Sequence, residues 1–231
     1  MNSQEAQRLT IDIYSDVMCP WCLIGYGQLT KALAQLDGEI AADIRWRPFE
    51  LNPNMPPEGE QQEAHLQRKY RRSAEEGAGL RAQMKTIAEG AGVSLSYEGE
   101  GEAPPAMMWN TRDCHKLLAF ALEEAGPQVQ TALKLALFRA HFNDRAKLGD
   151  RDVLLDIAAS VGLHRVAAKA ALDDPDLEAR VLAEEAQAWD MNISGVPAMI
   201  VDGKFMIPGA QTPDVYVNAL RRVAEKRRSA E

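Results

Sequence analysis

Cysteine is scarce in this chain, three residues in 231. That excludes a disulfide scaffold and makes any close cysteine pair a candidate for redox chemistry or metal binding. There is no excess of basic residues. Asp and Glu total 34 against 26 Lys and Arg, a formal net charge of −8. That is the wrong sign for a module that neutralises nucleic-acid phosphates. The one dense basic run, Arg221-Arg222 with Lys226-Arg227-Arg228, lies near the C-terminus, where it suits a helix end. Long apolar runs are also missing. Met1 to Thr10 is polar, with Glu5 and Arg8, and reads as neither a signal peptide nor a membrane span. The expectation is a cytoplasmic protein without nucleic-acid or membrane partners. Apolar residues make up 46% of the chain, enough for a sizeable core.

Periodicity divides the chain into three stretches. Leu9, Ile11 and Ile13 alternate with Thr10, Asp12 and Tyr14, a strand pattern. From Cys22 to Leu36 the apolar Leu29, Leu33 and Leu36 recur at helical spacing, and Asp37-Gly38 ends the helix. Ala42 to Phe49 fits a second strand, with Ile44, Trp46 and Pro48 on one side. A proline-rich loop over 51–59 follows. The next stretch is rich in Ala, Leu and charge, and predicts helices over 61–73, 76–91, 110–125, 127–142, 150–161, 164–172 and 176–190. Strand character returns at Val196 to Val201. Asp202-Gly203 signals a hairpin, with Lys204 to Ile207 as the partner strand. Thr212-Pro213 then opens a closing helix that runs to about Arg228. The predicted class is α/β: residues 1–58 and 191–231 form one discontinuous domain around an inserted helical domain, 59–190.

Chemistry concentrates at Cys19-Pro20-Trp21-Cys22, which follows a strand and opens a helix. Two intervening residues let both sulfurs meet across the first helical turn. Free N–H groups at the helix start favour a thiolate on Cys19, and Pro20 suits the first turn, where its missing donor costs nothing. Cys19 then reads as the exposed nucleophile and Cys22 as the buried resolving thiol. The competing readings are half of a zinc site and plain packing. Cys114 and His115 would have to complete the zinc site. As helix neighbours they point roughly 100° apart, which suits a shared ion badly. Cys114 also falls on the stripe Cys114, Leu117, Leu118, Ala121 and Leu122, so a small buried hydrophobe is its expected role. No metal site is expected.

A second feature, Gly195-Val196-Pro197, precedes a strand. On its own, proline there is unremarkable. The combination of Cys-Pro-Trp-Cys after the first strand, Gly-Val-Pro before the third and helices between them resembles the DsbA-like branch of the thioredoxin superfamily. Ser15-Asp16-Val17, Trp46-Arg47-Pro48-Phe49-Glu50-Leu51-Asn52-Pro53, Asn110-Thr111 with His115, and Gly209-Ala210-Gln211 narrow the resemblance to its FrnE-like proteins. It implies a thioredoxin-like fold with a large all-α insertion, and a protein disulfide oxidoreductase or isomerase whose catalytic pair is Cys19 and Cys22. It further implies a cis peptide bond before Pro197 that places the proline against the pair. Pro20, Trp21, Val196 and Pro197 would contact substrate, the backbone of Val196 pairing with an extended peptide or thiol. Asn110 and His115 would lie near the site. The implied partners are thiol and disulfide substrates, polypeptides among them, with glutathione as a redox partner and no separate cofactor. Some relatives carry a second cysteine pair near the C-terminus, but no cysteine here follows Cys114. Tryptophan at position 21 lacks the charge that a histidine would offer Cys19, so a milder oxidant than periplasmic DsbA is expected.

Two other classes compete. The 2-hydroxychromene-2-carboxylate isomerases and kappa-class glutathione transferases share this architecture, but have serine where Cys19 stands. A peptide-binding chaperone would use the insertion and leave the cysteines secondary. Of the remaining histidines, His65 and His164 fall on polar surface and read as solvated, while His141 suits a helix end. Met107, Met108 and Trp109 read first as core and second as the lining of an adaptable groove.

Overall fold

The structure, a computed structural model, describes residues 6–71 and 73–229. The polar segment Met1 to Glu5 lies outside them. The chain opens as a strand, helix and strand: β1 (Gln7–Ser15), α1 (Pro20–Gln35) and β2 (Ile40–Pro48). There follow β3 (Glu60–Gln61), α2 (Gln62–Tyr70), α3 (Ala74–Ala91), β4 (Met107–Met108), α4 (Arg112–Phe142), α5 (Arg151–Ser160), α6 (Arg165–Asp173) and α7 (Pro175–Asp190). The chain closes with β5 (Ala198–Val201), β6 (Phe205–Pro208) and α8 (Pro213–Arg228).

The main sheet has the order β2-β1-β5-β6. β1 runs parallel to β2 and antiparallel to β5, and β6 pairs antiparallel with β5. The register puts Ile13 beside both Trp46 and Met199, and Ile11 beside Ile44 and Val201. Because side chains alternate along a strand, these residues share one face. Leu29 of α1 and Tyr216 and Leu220 of α8 cover that face. Each fully buried Leu or Ile there contributes about 1.5–3 kcal/mol relative to exposure. On the other face Tyr14, Ala198 and Ile200 meet Ala188 of α7. This is a thioredoxin-like α/β fold with a helical insertion between β2 and β5.

Asp202 and Gly203, at φ 50° and 66°, turn β5 into β6. Asp and Gly are residues that tolerate the left-handed region. Thr212 precedes α8 but makes no side-chain capping bond.

The helices expected over 110–125 and 127–142 are both present as the two halves of α4, separated by a kink at Gly126, whose φ is 83°. Gly126 leaves helical geometry, as a residue without a Cβ can, and Pro127 opens the second half, where its missing N–H costs nothing. The short pair β3–β4 was not anticipated; two-residue strands carry no periodicity to read. α4 also reaches the main sheet, since Phe138 and Phe142 share a core with Ile13 and Trp46. Gln130 binds both backbone groups of Trp46, accepting from its N–H at 2.9 Å and donating to its carbonyl at 2.9 Å. Those bonds occupy the free edge of β2.

Candidate active site

α1 begins where the sequence suggests. Cys19 is its N-cap residue, in extended conformation, and Pro20 stands in the first turn. Cys22 N–H donates to the Cys19 carbonyl at 3.1 Å. Asp16 shapes the approach to this turn. Its carboxyl accepts from Met18 N–H at 3.1 Å and from Leu51 N–H at 2.7 Å, tying the loop before α1 to the end of β2.

Both cysteines are thiols and both are buried, Cys19 at 4% exposure and Cys22 at 0%. Cys19 is thus less exposed than the motif suggests. The two differ in what they face. Cys19 lines a cleft of about 660 Å³, together with Met18, Pro20 and the partly exposed Trp21; Cys22 does not. The loop before β5 closes the other side. The Val196–Pro197 peptide is cis, and the Cys19 sulfur lies 3.6 Å from the Val196 carbonyl oxygen. Pro197 packs against α1 at Gly25, where an added Cβ would meet its ring at 3.1 Å.

Beneath the pair lies a cation that sequence reasoning missed. Lys134 of α4 is completely buried. Its ammonium donates to the Ser15 carbonyl at 3.4 Å and stands over the rings of Trp46 at 5.2 Å and Phe138 at 5.0 Å. Burial lowers its pKa to about 8, against the opposing pull of Cys22 and Asp16. Burial raises the Asp16 carboxyl, with the Leu51 and Met18 N–H bonds and Lys134 acting the other way.

The thiols titrate as a pair. Burial pushes the Cys22 thiol up, but the hydrogen bond from Cys19, the Lys134 charge and the nearby Ser15 hydroxyl outweigh it and bring the thiol below its ordinary value. Cys19 is held well above, first because its proton is shared with Cys22 and then by burial. The Cys19 and Cys22 sulfurs thus share one proton across the start of α1, where the free N–H groups face Cys19. The buried Lys134 ammonium draws the Cys22 thiol down from behind, while the helix start faces Cys19.

The other candidates separate. Asn110 anchors the proline-rich loop, donating to the carbonyls of Pro53 at 3.2 Å and Met55 at 3.4 Å. His115 is buried inside α4, its pKa driven well down by burial and by Lys134, and its Nε2 has no partner. Neither lines the cleft. Cys114 is wholly buried in the insertion core, its thiol pushed far up by burial. Met108 and Trp109 belong to that core, and Met108 also touches the cleft. His164 is exposed, as expected. His65 is not solvated: it is 5% exposed, and its Nδ1 lies 2.9 Å from Glu60 Oε2. The β3–β4 pair brings Glu60 beside it, an arrangement with no signature in the local sequence. His141 does not cap its helix. Its ring packs edge-on against Phe142, and burial lowers its pKa to about 3. Among the described residues, no group of three or more His, Cys, Asp or Glu is placed to hold a metal ion.

A family model described as a DSBA-like thioredoxin domain matches residues 10–221. The chain belongs to this family. Among DSBA-like proteins, a probable DsbA oxidoreductase of Streptomyces coelicolor, known from its crystal structure, is 29% identical with a TM-score of 0.80, over 93% of this chain and 89% of its own. The uncharacterized protein YwbO of Bacillus subtilis (strain 168) is 28% identical over 222 residues, 94% of this chain and 98% of its own. The cytosolic disulfide reductase DsbM of Pseudomonas aeruginosa, solved with GSH, shares the fold at 19% identity and a TM-score of 0.58, over 94% of this chain and 99% of its own. Family membership supports thiol–disulfide oxidoreductase chemistry at the level of the family. No helix among the described residues is long and apolar enough to cross a membrane.

Proposed function

We propose that this protein exchanges disulfides through Cys19 and Cys22, with Cys19 as the sulfur that meets the substrate. One observation carries the assignment: Cys19 faces the cleft and Cys22 is sealed behind it. A proton passes from Cys19 to Cys22 within the pair, and the Cys19 thiolate attacks one sulfur of a disulfide. The S–S bond breaks, a mixed disulfide forms on Cys19, and the leaving thiolate takes a proton. Cys22 then attacks the Cys19 sulfur as its proton passes to the departing group: the mixed disulfide breaks, a Cys19–Cys22 disulfide forms, and the second thiol is released. Two electrons pass from the dithiol to the substrate, and the reverse sequence oxidises a dithiol. The Lys134 ammonium stabilises the Cys22 thiolate in the resolving step.

Pro20, Trp21, Val196 and Pro197 frame the sulfur and are the proposed substrate contacts. The Val196 carbonyl, now 3.6 Å from the sulfur, is free to accept an N–H from a bound peptide once the Cys19 proton has left. No cofactor is needed beyond the pair, and glutathione is the proposed redox partner. A reducing compartment, the cytoplasm, fits a chain whose third thiol, Cys114, is buried and unpaired. The glutathione-dependent isomerase and transferase classes differ where it matters, with serine at the position of Cys19.

The Cys22→Ser variant tests this reading. With a disulfide substrate it should accumulate a mixed disulfide on Cys19, while Cys19→Ser should trap nothing and lose exchange. Trapping on Cys114, or exchange that survives in Cys19→Ser, would refute the assignment. The reduction potential of the pair then fixes the working direction.

A further inference from the structure

The cleft in front of Cys19 is walled on its far side by α2, α3 and the segment after α4. Its charge runs against that of the whole chain. Lys69, Arg81, Lys85 and Arg145 line it, against one carboxylate, Glu63. Lys85 has a carboxylate neighbour, Glu89 at 4.0 Å. The other three cations have none within ion-pair distance among the described residues. Lys69 donates only to neutral oxygens, the Leu51 carbonyl at 3.1 Å and Asn52 Oδ1 at 2.8 Å. Arg145 holds its Nε sealed from water without any partner. Cations gathered along one wall of a cleft without carboxylate partners attract an incoming anion.

A second observation points the same way. His65 lines this cleft and is almost fully buried, and its Nε2 is sealed without a hydrogen-bond partner. Glu60 Oε2 lies 2.9 Å from Nδ1, and an Arg68 guanidinium nitrogen lies 3.4 Å from the same atom. Nε2 is the ring atom left without a partner, and an imidazole nitrogen donates or accepts according to its tautomer. The size of the cleft sets the third condition. At about 660 Å³ it lies within the range that holds small molecules, about 300–1,000 Å³, and not a folded partner.

We propose that this wall is an anion subsite, and that the disulfides exchanged at Cys19 are those of small acidic peptide thiols. The proposal rests on the exchange function above and adds the substrate class and the residues that select it. A short peptide thiol seats its sulfur at Cys19, pairs its backbone at Val196 and sets its carboxylates against Lys69, Arg81 and Arg145.

The test uses the full-length reduced protein in single turnover with three disulfides of different charge: glutathione disulfide (anionic), hydroxyethyl disulfide (neutral) and cystamine (cationic). Each rate is divided by the rate of the same disulfide with dithiothreitol, which removes intrinsic reactivity. The normalised rate for glutathione disulfide should exceed that for cystamine by about tenfold or more, the scale of electrostatic steering in a charged cleft. About 1 M salt should narrow the gap. Lys69 and Arg81 are exposed helix residues, so replacing them leaves the core intact. The double variant Lys69→Glu, Arg81→Glu should abolish or invert the preference, and Lys69→Arg, Arg81→Lys should keep it. Equal normalised rates in the unaltered protein, or a preference that survives charge reversal, would overturn the subsite. Exchange with none of the three disulfides, or exchange that persists in Cys19→Ser, would instead overturn the function on which it rests.

Discussion

The Cys19 sulfur sits 3.6 Å from the carbonyl oxygen of Val196, a residue far along the chain, at the edge of a cleft that Cys22 does not reach. The relationship joins the start of α1 to the loop before β5 and gives the pair a front and a back. Substrate arrives at the front. At the back, Lys134 and Asp16 set the protonation of the sulfurs. The two sides can be perturbed separately.

At the front, Trp21 offers Cys19 apolar surface where histidine would bring charge. In Trp21→His an imidazolium beside the sulfur would stabilise the thiolate, and with it the reduced form. The thiolate pKa should fall and the reduction potential should rise, each ~30 mV corresponding to about 1.4 kcal/mol. Titration of thiolate absorbance and equilibration against glutathione check the two effects independently. An unchanged potential would mean that the loop at Val196, and not residue 21, sets the redox poise.

At the back, Lys134→Met should act in the opposite sense. Methionine fills similar space without the cation, so the Cys22 thiolate loses its neighbouring positive charge. The first pKa of the pair should rise by about one unit or more, and the potential should fall. The same absorbance titration serves. A pKa that does not move would show that Lys134 is a packing residue.

The buried histidines make stability depend on pH. His141 titrates near 3 when folded, against 6.5 unfolded. The unfolded chain therefore binds more protons between these values, and stability falls as pH drops from 6.5 towards 3. One such group is worth about 2 kcal/mol between neutral pH and pH 5. Glu185 works in the other direction. Burial and the adjacent Glu50 raise it to about 7, so its contribution is present at low pH and is lost as pH rises from 4.5 to 7. The informative quantity is therefore the difference between the unaltered protein and His141→Gln in urea unfolding. The variant should have a shallower loss of stability below pH 6.5. Parallel curves would exclude His141 as the source.

Gly27 marks the contact of α1 with α3. An added Cβ would stand 2.8 Å from the Ala91 carbonyl oxygen and 3.0 Å from Val93 Cγ1, so the backbone has to separate. Gly27→Ala should cost about 1–3 kcal/mol by overpacking, despite alanine's better helix propensity. Thermal and urea unfolding measure it. A stabilised variant would show that α3 yields freely.

Much of the fold was legible because its signals are local. The alternation of Leu9, Ile11 and Ile13, the stop at Asp37-Gly38 and the turn at Asp202-Gly203 each lie within a few residues. Cys19 to Cys22 likewise fall within one helical turn. Lys134 was not legible as a site residue. Its relation to Cys22 exists only in the packing of α4 against β2, which brings Lys134 to Ser15 at the end of β1, although a lysine beside the apolar stripe Leu133, Leu137 and Ala140 is the signal that could have drawn notice. His65 was misread because its neighbours are polar and its burial depends on Glu60 across β3. The helix start that faces Cys19 is visible in sequence, and the buried cation behind Cys22 is not.

The most direct test of the account is brief alkylation of the fully reduced protein near neutral pH, followed by peptide mapping. Cys22 carries the lower thiol pKa, but access governs attack by an external reagent, and Cys19 alone of the two faces the cleft. Cys19 should be labelled first, with Cys22 and Cys114 protected until the protein unfolds. Earlier labelling of Cys22 or Cys114 would contradict the account.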